Sequence, residues 1–354
     1  QENTLDKNLD TIQPIFWREN QLELLDQRAL PQQEIWLKYN DVNEVANAIT
    51  DMVVRGAPAI GVTAAYGVVL AARSAWEHSA EDWQQAMEAP LKTLADSRPT
   101  AVNLFWAIDR MTAVYKTLPA NESPEAVLLD EAKAIHAEDI TANHTMGHLG
   151  SALIKSNSTV LTHCNAGALA TGGFGTALGV IRQGYADGNI KHVYADETRP
   201  WLQGSRLTAW ELQQDNIPVT IQSEGAAASL MASGEVDWII VGADRISANG
   251  DVANKVGTYM LAILAKYHDV KMMVVAPTST IDWQLQDGKE IPIEQRSADE
   301  VTSIQGQRIA PEGVAASNPA FDVTPAKLVD AIVTEAGVIL SPSLEAMQKI
   351  KPED

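Results

Sequence analysis

The chain has almost no cysteine. One thiol in 354 residues, Cys164, excludes any internal disulfide, so packing and hydrogen bonds must hold the fold. Positive charge is also short. Lys and Arg number 26 against 46 Asp and Glu, and the formal net charge of −20 opposes long-range attraction to nucleic acid or an anionic membrane. The acid is spread along the chain and reads as solvated surface, so an anionic ligand would depend on a few local arginines, lysines and helix starts. No apolar run of about eighteen residues appears, and Gln1–Lys7 has neither the basic flank nor the apolar stretch of a secretion signal. No membrane association and a cytoplasmic location are therefore expected. Tandem repeats and low-complexity tracts are missing as well.

An apolar content of 45% is enough for a full core, and the length suits two domains. From about Thr159 onward, short β-branched or apolar runs alternate with helix-like segments. The runs are 159–163, 192–195, 219–222, 238–241, 272–276 and 331–334. That rhythm predicts an α/β fold, a Rossmann-like doubly wound parallel sheet with helices on both faces. The first 130 or so residues lack it. They show one strand-like run at Ile35–Leu37 and helical stretches over 58–76 and 100–117, predicting a smaller, mainly helical amino-terminal domain. The expected division is 1–133 and 134–354, with the joint near 119–124 or within the polar helix that runs on to Ile154.

In the common strand order 3-2-1-4-5-6, ligands bind beyond the carboxyl ends of strands 1 and 4, where the order reverses. Strand 1 then ends at Cys164 and strand 4 at Gly242–Arg245, which places Cys164 and Asp244 across one pocket. A lone cysteine is commonly a small buried hydrophobe, and a carboxylate beside an arginine is commonly a cap or an ion pair. Together in a crevice they become a candidate reaction centre, because burial raises a carboxyl group toward neutrality and suits it to proton transfer. The turn that follows Cys164, with Asn165, Gly167 and Gly172–Gly175, offers backbone amides that could face an anion. Gln203 and Gly204 follow strand 2 at a helix start. Asn254 and Lys255 follow Asp244 and lead toward another helix. Arg55-Gly56-Ala57-Pro58 places proline at a helix start beside an arginine, and Arg98-Pro99 could complete a lid over a phosphorylated sugar.

Other chemistry is disfavoured. Gly173-Phe174-Gly175 begins a dinucleotide fingerprint, but Leu178 stands where its last glycine belongs, so no nicotinamide cofactor is expected. His163 and Cys164 point to opposite faces as strand neighbours, which argues against a thiol–imidazole dyad. His136, His144 and His148 lack a carboxylate or thiol at zinc-like spacing, so they are read as a polar helix surface and no metal is expected.

These segments, with Thr162–Gly167, Glu197–Pro200, Gln203–Leu212, Asn249–Asp251, Asn254–Tyr259 and Asn318–Pro325, together resemble the methylthioribose-1-phosphate isomerases over nearly the whole chain. The resemblance implies an aldose–ketose isomerase, without cofactor, acting on a sugar phosphate in methionine salvage, and a homodimer. It implies Asp244 as proton donor and Cys164 as the group that shapes the transition state or moves a proton. Arg55, Gly56, Ala57, Arg98, Gln203, Asn254 and Lys255 fall on the positions that hold substrate. The wider superfamily also contains ribose-1,5-bisphosphate isomerases and non-catalytic regulatory subunits of a translation-initiation exchange factor; the latter generally lack the Cys–Asp pair. One stretch, Ser223–Ala228, departs from the family pattern and is expected at one wall of the pocket.

Overall fold

In a computed structural model, which describes residues 11–353, the chain begins with an antiparallel sheet and a helical layer. The reading of Gln1–Lys7 falls outside the described residues. Strands β1 (Ile15–Arg18), β2 (Gln21–Leu25) and β3 (Trp36–Tyr39) form the sheet. Only the third was anticipated. The β1–β2 hairpin turns on Glu19 and Asn20, both at positive φ, the backbone that a two-residue hairpin requires. Four helices follow, α1 (Val42–Thr50), α2 (Ala57–His78), α3 (Glu88–Asp96) and α4 (Val102–Tyr115). The Asp41 carboxylate caps α1 by accepting from the Asn43 and Glu44 amides. Among the described residues α2 is the one helix long and apolar enough to cross a membrane, yet 83% of its most apolar stretch is buried here, among Val45, Leu94, Leu104 and Met111. Each such large side chain contributes roughly 1.5–3 kcal/mol through burial.

Helix α5 (Glu125–Ser151) spans the position at which the sequence suggested a joint. Beyond it come β4 (Ser158–Thr162), α6 (Ala177–Ala186), β5 (Ile190–Asp196), a π-helical turn at Gly204–Thr208 that runs into α7 (Ala209–Gln214), β6 (Val219–Gln222), α8 (Ala227–Ala232) and β7 (Trp238–Val241). Next are β8 (Arg245–Ser247), β9 (Val252–Lys255), α9 (Thr258–Tyr267), β10 (Lys271–Val275) and β11 (Ile281–Asp282). The chain closes with α10 (Asp299–Thr302), β12 (Ser303–Ile304), β13 (Gln307–Arg308), β14 (Phe321–Thr324), β15 (Ala331–Thr334), β16 (Gly337–Leu340) and α11 (Leu344–Met347).

The large sheet has the order β16-β15-β10-β7-β4-β5-β6. Its six parallel strands are the six read from the sequence, in the 3-2-1-4-5-6 order, and β16 adds an antiparallel edge. Adjacent residues of the central strands serve opposite faces, as the pleat demands. Val160, Ile240 and Met273 pack with α5 and α6 residues such as Met146 and Leu178. Leu161, Ile239 and Met272 pack with Met231 of α8 and Leu261 of α9. The expected doubly wound architecture is thus present. A separate four-stranded sheet, β11-β8-β9-β14, was not anticipated. Asn254 and Lys255 end its strand β9 and lead on to α9, which starts at Thr258.

The polar-surface reading of the histidines also needs correction. On α5, His136 lies 2.9 Å from the Tyr66 hydroxyl and 3.0 Å from the Gly172 carbonyl, and His144 stacks on Phe174; only His148 is exposed.

Candidate active site

Strands β4 and β7 lie side by side at the sheet's centre, with Leu161 opposite Ile239, and their carboxyl ends open into one cavity. Cys164 and Asp244, just past those two ends, both line it. So do Arg55, Gly56, Ala57, Arg98, Gln203, Asn254 and Lys255. The structure therefore brings all nine sequence-predicted residues to one place, from the start of α2, the α3–α4 loop and four strand ends.

Cys164 is buried, is not in a disulfide, and its backbone sits in the left-handed region at φ 63°. Two threonines hold that conformation. The Cys164 amide donates to Thr198 Oγ at 2.8 Å, and its carbonyl accepts from Thr208 Oγ at 2.6 Å. His163 turns away: its ring nitrogens lie 3.1 Å from the Asp196 carboxylate and 2.9 Å from the Val256 carbonyl. Asp244 is tied through its backbone, its amide donating to the Ala253 carbonyl at 2.9 Å. The neighbouring Arg245 does not pair with it, but donates to the Thr100 carbonyl at 2.5 Å and faces Asp282 at 3.6 Å. Burial pushes the Asp244 carboxyl up, against the opposing pull of Lys255, Arg55 and Arg98, while the anionic Glu294 adds to the rise.

The cations are anchored differently. Arg55 donates to Asn165 twice, Nη1 to the amide oxygen at 2.8 Å and Nη2 to the backbone carbonyl at 2.7 Å. Arg98 faces a carboxylate, Glu294, at 3.1 Å. Lys255 Nζ lies 5.1 Å from the centre of the Phe321 ring. Two buried polar atoms at the cavity, Arg98 Nε and Gln203 Oε1, have no partner among the described residues, as groups aimed at a ligand would. Gly56, at φ 93°, lets α2 begin against the Ala170 backbone, where a Cβ would come within 2.6 Å.

The glycine-rich turn is used in another way than its composition suggested. Its amides are largely occupied from within the chain. Ala168 and Leu169 donate to Glu211 at 2.6 and 3.3 Å, Gly172 to Asp139 at 2.7 Å, and Gly173 to Thr171 Oγ at 3.1 Å. The anions that this turn cradles are thus the protein's own carboxylates. Asp139 is raised to about 6 by burial, which the Gly172 and Asn143 donors partly offset. Ser223–Ala228 lies away from the cavity wall; the Glu224 carboxylate instead receives the Arg199 amide.

Sequence reasoning missed Glu294, Glu211 and Arg182. The last two form a fully buried ion pair at 2.9 Å behind the turn. Their signal was there to read, a glutamate on the inward face of a helix between Leu207 and Leu212. Among the described residues no group of three His, Cys, Asp or Glu side chains comes close enough to hold a metal ion.

A model of the initiation factor 2 subunit family matches residues 53–341. The chain belongs to that family. Within it, the chain is 58% identical to a methylthioribose-1-phosphate isomerase of Nitrosococcus oceani, over 96% of this chain and 98% of that one. It is 57% identical to the one from Pseudomonas aeruginosa, over 96% and 95%. Among solved structures it superposes on 5-methylthioribose 1-phosphate isomerase from Pyrococcus horikoshii with a TM-score of 0.89, at 44% identity over 97% of each chain. A translation initiation factor eIF-2B subunit delta from A. fulgidus is also similar, with a TM-score of 0.84 at 40% identity, over 96% of this chain and 100% of that one. The family thus joins proteins named as enzymes to proteins named as translation factors.

Proposed function

We infer that the chain is an aldose–ketose isomerase that converts 5-methylthioribose 1-phosphate to 5-methylthioribulose 1-phosphate, a step of methionine salvage. The relatives of that name, more than half identical over nearly the full length, support the activity. The observation that carries the assignment of roles is the meeting of Cys164 and Asp244 in one cavity that Arg55, Arg98 and Lys255 also line.

The substrate carries phosphate on its anomeric oxygen, so ring opening calls for a proton on the ring oxygen. Asp244, whose protonated form burial favours, donates it, and the bond from C1 to the ring oxygen breaks. The hydrogen on C2 then passes to C1, the C2 hydroxyl loses its proton to the Asp244 carboxylate, and the acid is regenerated. Cys164 lies beside the reacting carbons and shapes or relays that transfer. Arg55, Arg98 and Lys255 hold the phosphate, with Gly56 and Ala57 at the start of α2; Gln203 and Asn254 hold the sugar hydroxyls.

Residues 1–133 serve in this reading as a mainly helical domain contributing to the rim, and 134–354 as the catalytic domain. The protein works as a cytoplasmic homodimer. An apolar stripe on α9, with Tyr259, Met260, Ile263 and Tyr267 exposed, supports a subunit contact. The deciding experiment offers the purified chain methylthioribose 1-phosphate and ribose 1,5-bisphosphate side by side. Ketose phosphate from the first alone is expected. Turnover of the bisphosphate instead moves the substrate assignment, and binding without product makes the chain a sensor like its regulatory relatives.

A further inference from the structure

We propose that Asn165 and Glu211 are positioning residues that aim the Arg55 guanidinium at the substrate. The inference rests on the reading that Arg55 holds the phosphate. Five side chains form an unbroken chain behind the cavity. Asp215 accepts from Arg182 at 2.6 Å, Arg182 donates to Glu211 at 2.9 Å, and Glu211 accepts from Asn165 Nδ2 at 2.8 Å. Asn165 Oδ1 accepts from Arg55 at 2.8 Å. Glu211 and Arg182 are essentially fully buried, and Asn165 is 4% exposed.

The chemistry of the two ends leaves the amide a single satisfied orientation. A carboxylate only accepts and a guanidinium only donates, so an amide between them must turn its NH2 to Glu211 and its oxygen to Arg55. Glu211 thereby fixes which atom Asn165 shows to Arg55, and the Asn165 carbonyl takes the second Nη at 2.7 Å. The anion stands one residue removed from the guanidinium. Arg55 is held in place without being neutralised, and its charge stays available to an anionic substrate.

Glu211→Gln puts an NH2 where the Asn165 NH2 must bond. The Asn165 amide turns to accept from Gln, and its donor then faces Arg55. The expected result is a KM about tenfold higher or more, the scale of a misplaced charge-assisted hydrogen bond, with kcat within about threefold of wild type. The discriminating arm is Arg55→Ala. In that background Glu211→Gln should change KM by less than about twofold, because nothing remains to be aimed. Asn165→Ala, which leaves the Glu211–Ala168 contact in place, should show the same dependence on Arg55 and serves if Glu211→Gln does not fold. An equal rise in KM with and without Arg55, or a fall in kcat at unchanged KM, overturns the proposal. Affinities for methylthioribose 1-phosphate by titration calorimetry on the same proteins separate the two readings. A wild type that binds without turnover removes the enzymatic reading but still reports the coupling, and one that does neither removes both.

Discussion

The two banks of the cavity hold their arginines by opposite means. On the bank built from the start of α2, the turn after β4 and α7, Arg55 donates to neutral oxygens of Asn165, and the nearest carboxylate of that hydrogen-bonded chain, the buried Glu211, lies behind the amide. On the other bank, Arg98 meets Glu294 directly, in a run of partly exposed pairs in which Glu294 also takes Arg296 and Arg296 takes Glu300. A charge compensated at contact is partly spent on its neighbour, whereas a charge steadied through a neutral group keeps its field for a ligand. In the proposed reading the first bank is therefore the stronger phosphate grip, while the ion pair of the second ties Arg98 to the segment after Ile291.

Substitutions on either bank test this contrast. The largest effect is expected where the banks meet: Asp244→Asn and Cys164→Ala should each lower kcat by about a hundredfold or more, the usual scale for positioned acid–base groups. Steady-state kinetics on both variants checks this, and near-normal turnover would remove the mechanism. Next, Arg55→Ala should raise KM by about a hundredfold and Arg98→Ala by only about tenfold, since Arg98 is already half-answered by Glu294. Equal penalties would erase the contrast between the banks.

The smallest effect is a displacement along the pH axis. In the proposed mechanism Asp244 acts in its protonated form and burial raises its pKa, so kcat/KM should fall as pH rises through that value. Lys255 pulls the pKa down and Glu294 pushes it up. Lys255→Met should accordingly move the alkaline limb to higher pH, and Glu294→Gln should move it to lower pH. Matching shifts of one sign would show that these groups act on something other than Asp244.

Much of the sheet was legible because each buried parallel strand is a short, continuous apolar run, and because the reversal of strand order names the crevice. Cys164 and Asp244 could be paired across 80 positions on that ground alone. The small sheet was not legible. Val252–Lys255 is too short and too polar at its end to declare itself a strand, and its partner Phe321–Thr324 is remote in the chain. Glu294 escaped notice for a similar reason, since it lies in an irregular connection with no periodicity and acquires its role only through Arg98. The glycine-rich turn was misread in the instructive direction. Glycines do bring amides together, but composition does not say whether the acceptor is a ligand or a carboxylate such as Glu211.

That last feature bears on how the scaffold can change occupation. Where a nucleotide-binding loop grips phosphate with main-chain groups, exchanging one side chain leaves most of those donors in place. Here the turn's amides are already engaged internally, so in the proposed reading recognition falls mostly to three long cationic side chains. Such a grip should weaken as ionic strength rises, and it can be discarded one codon at a time while the sheet beneath stays intact. A family that holds both isomerases and translation factors on one frame is what such a removable grip would permit.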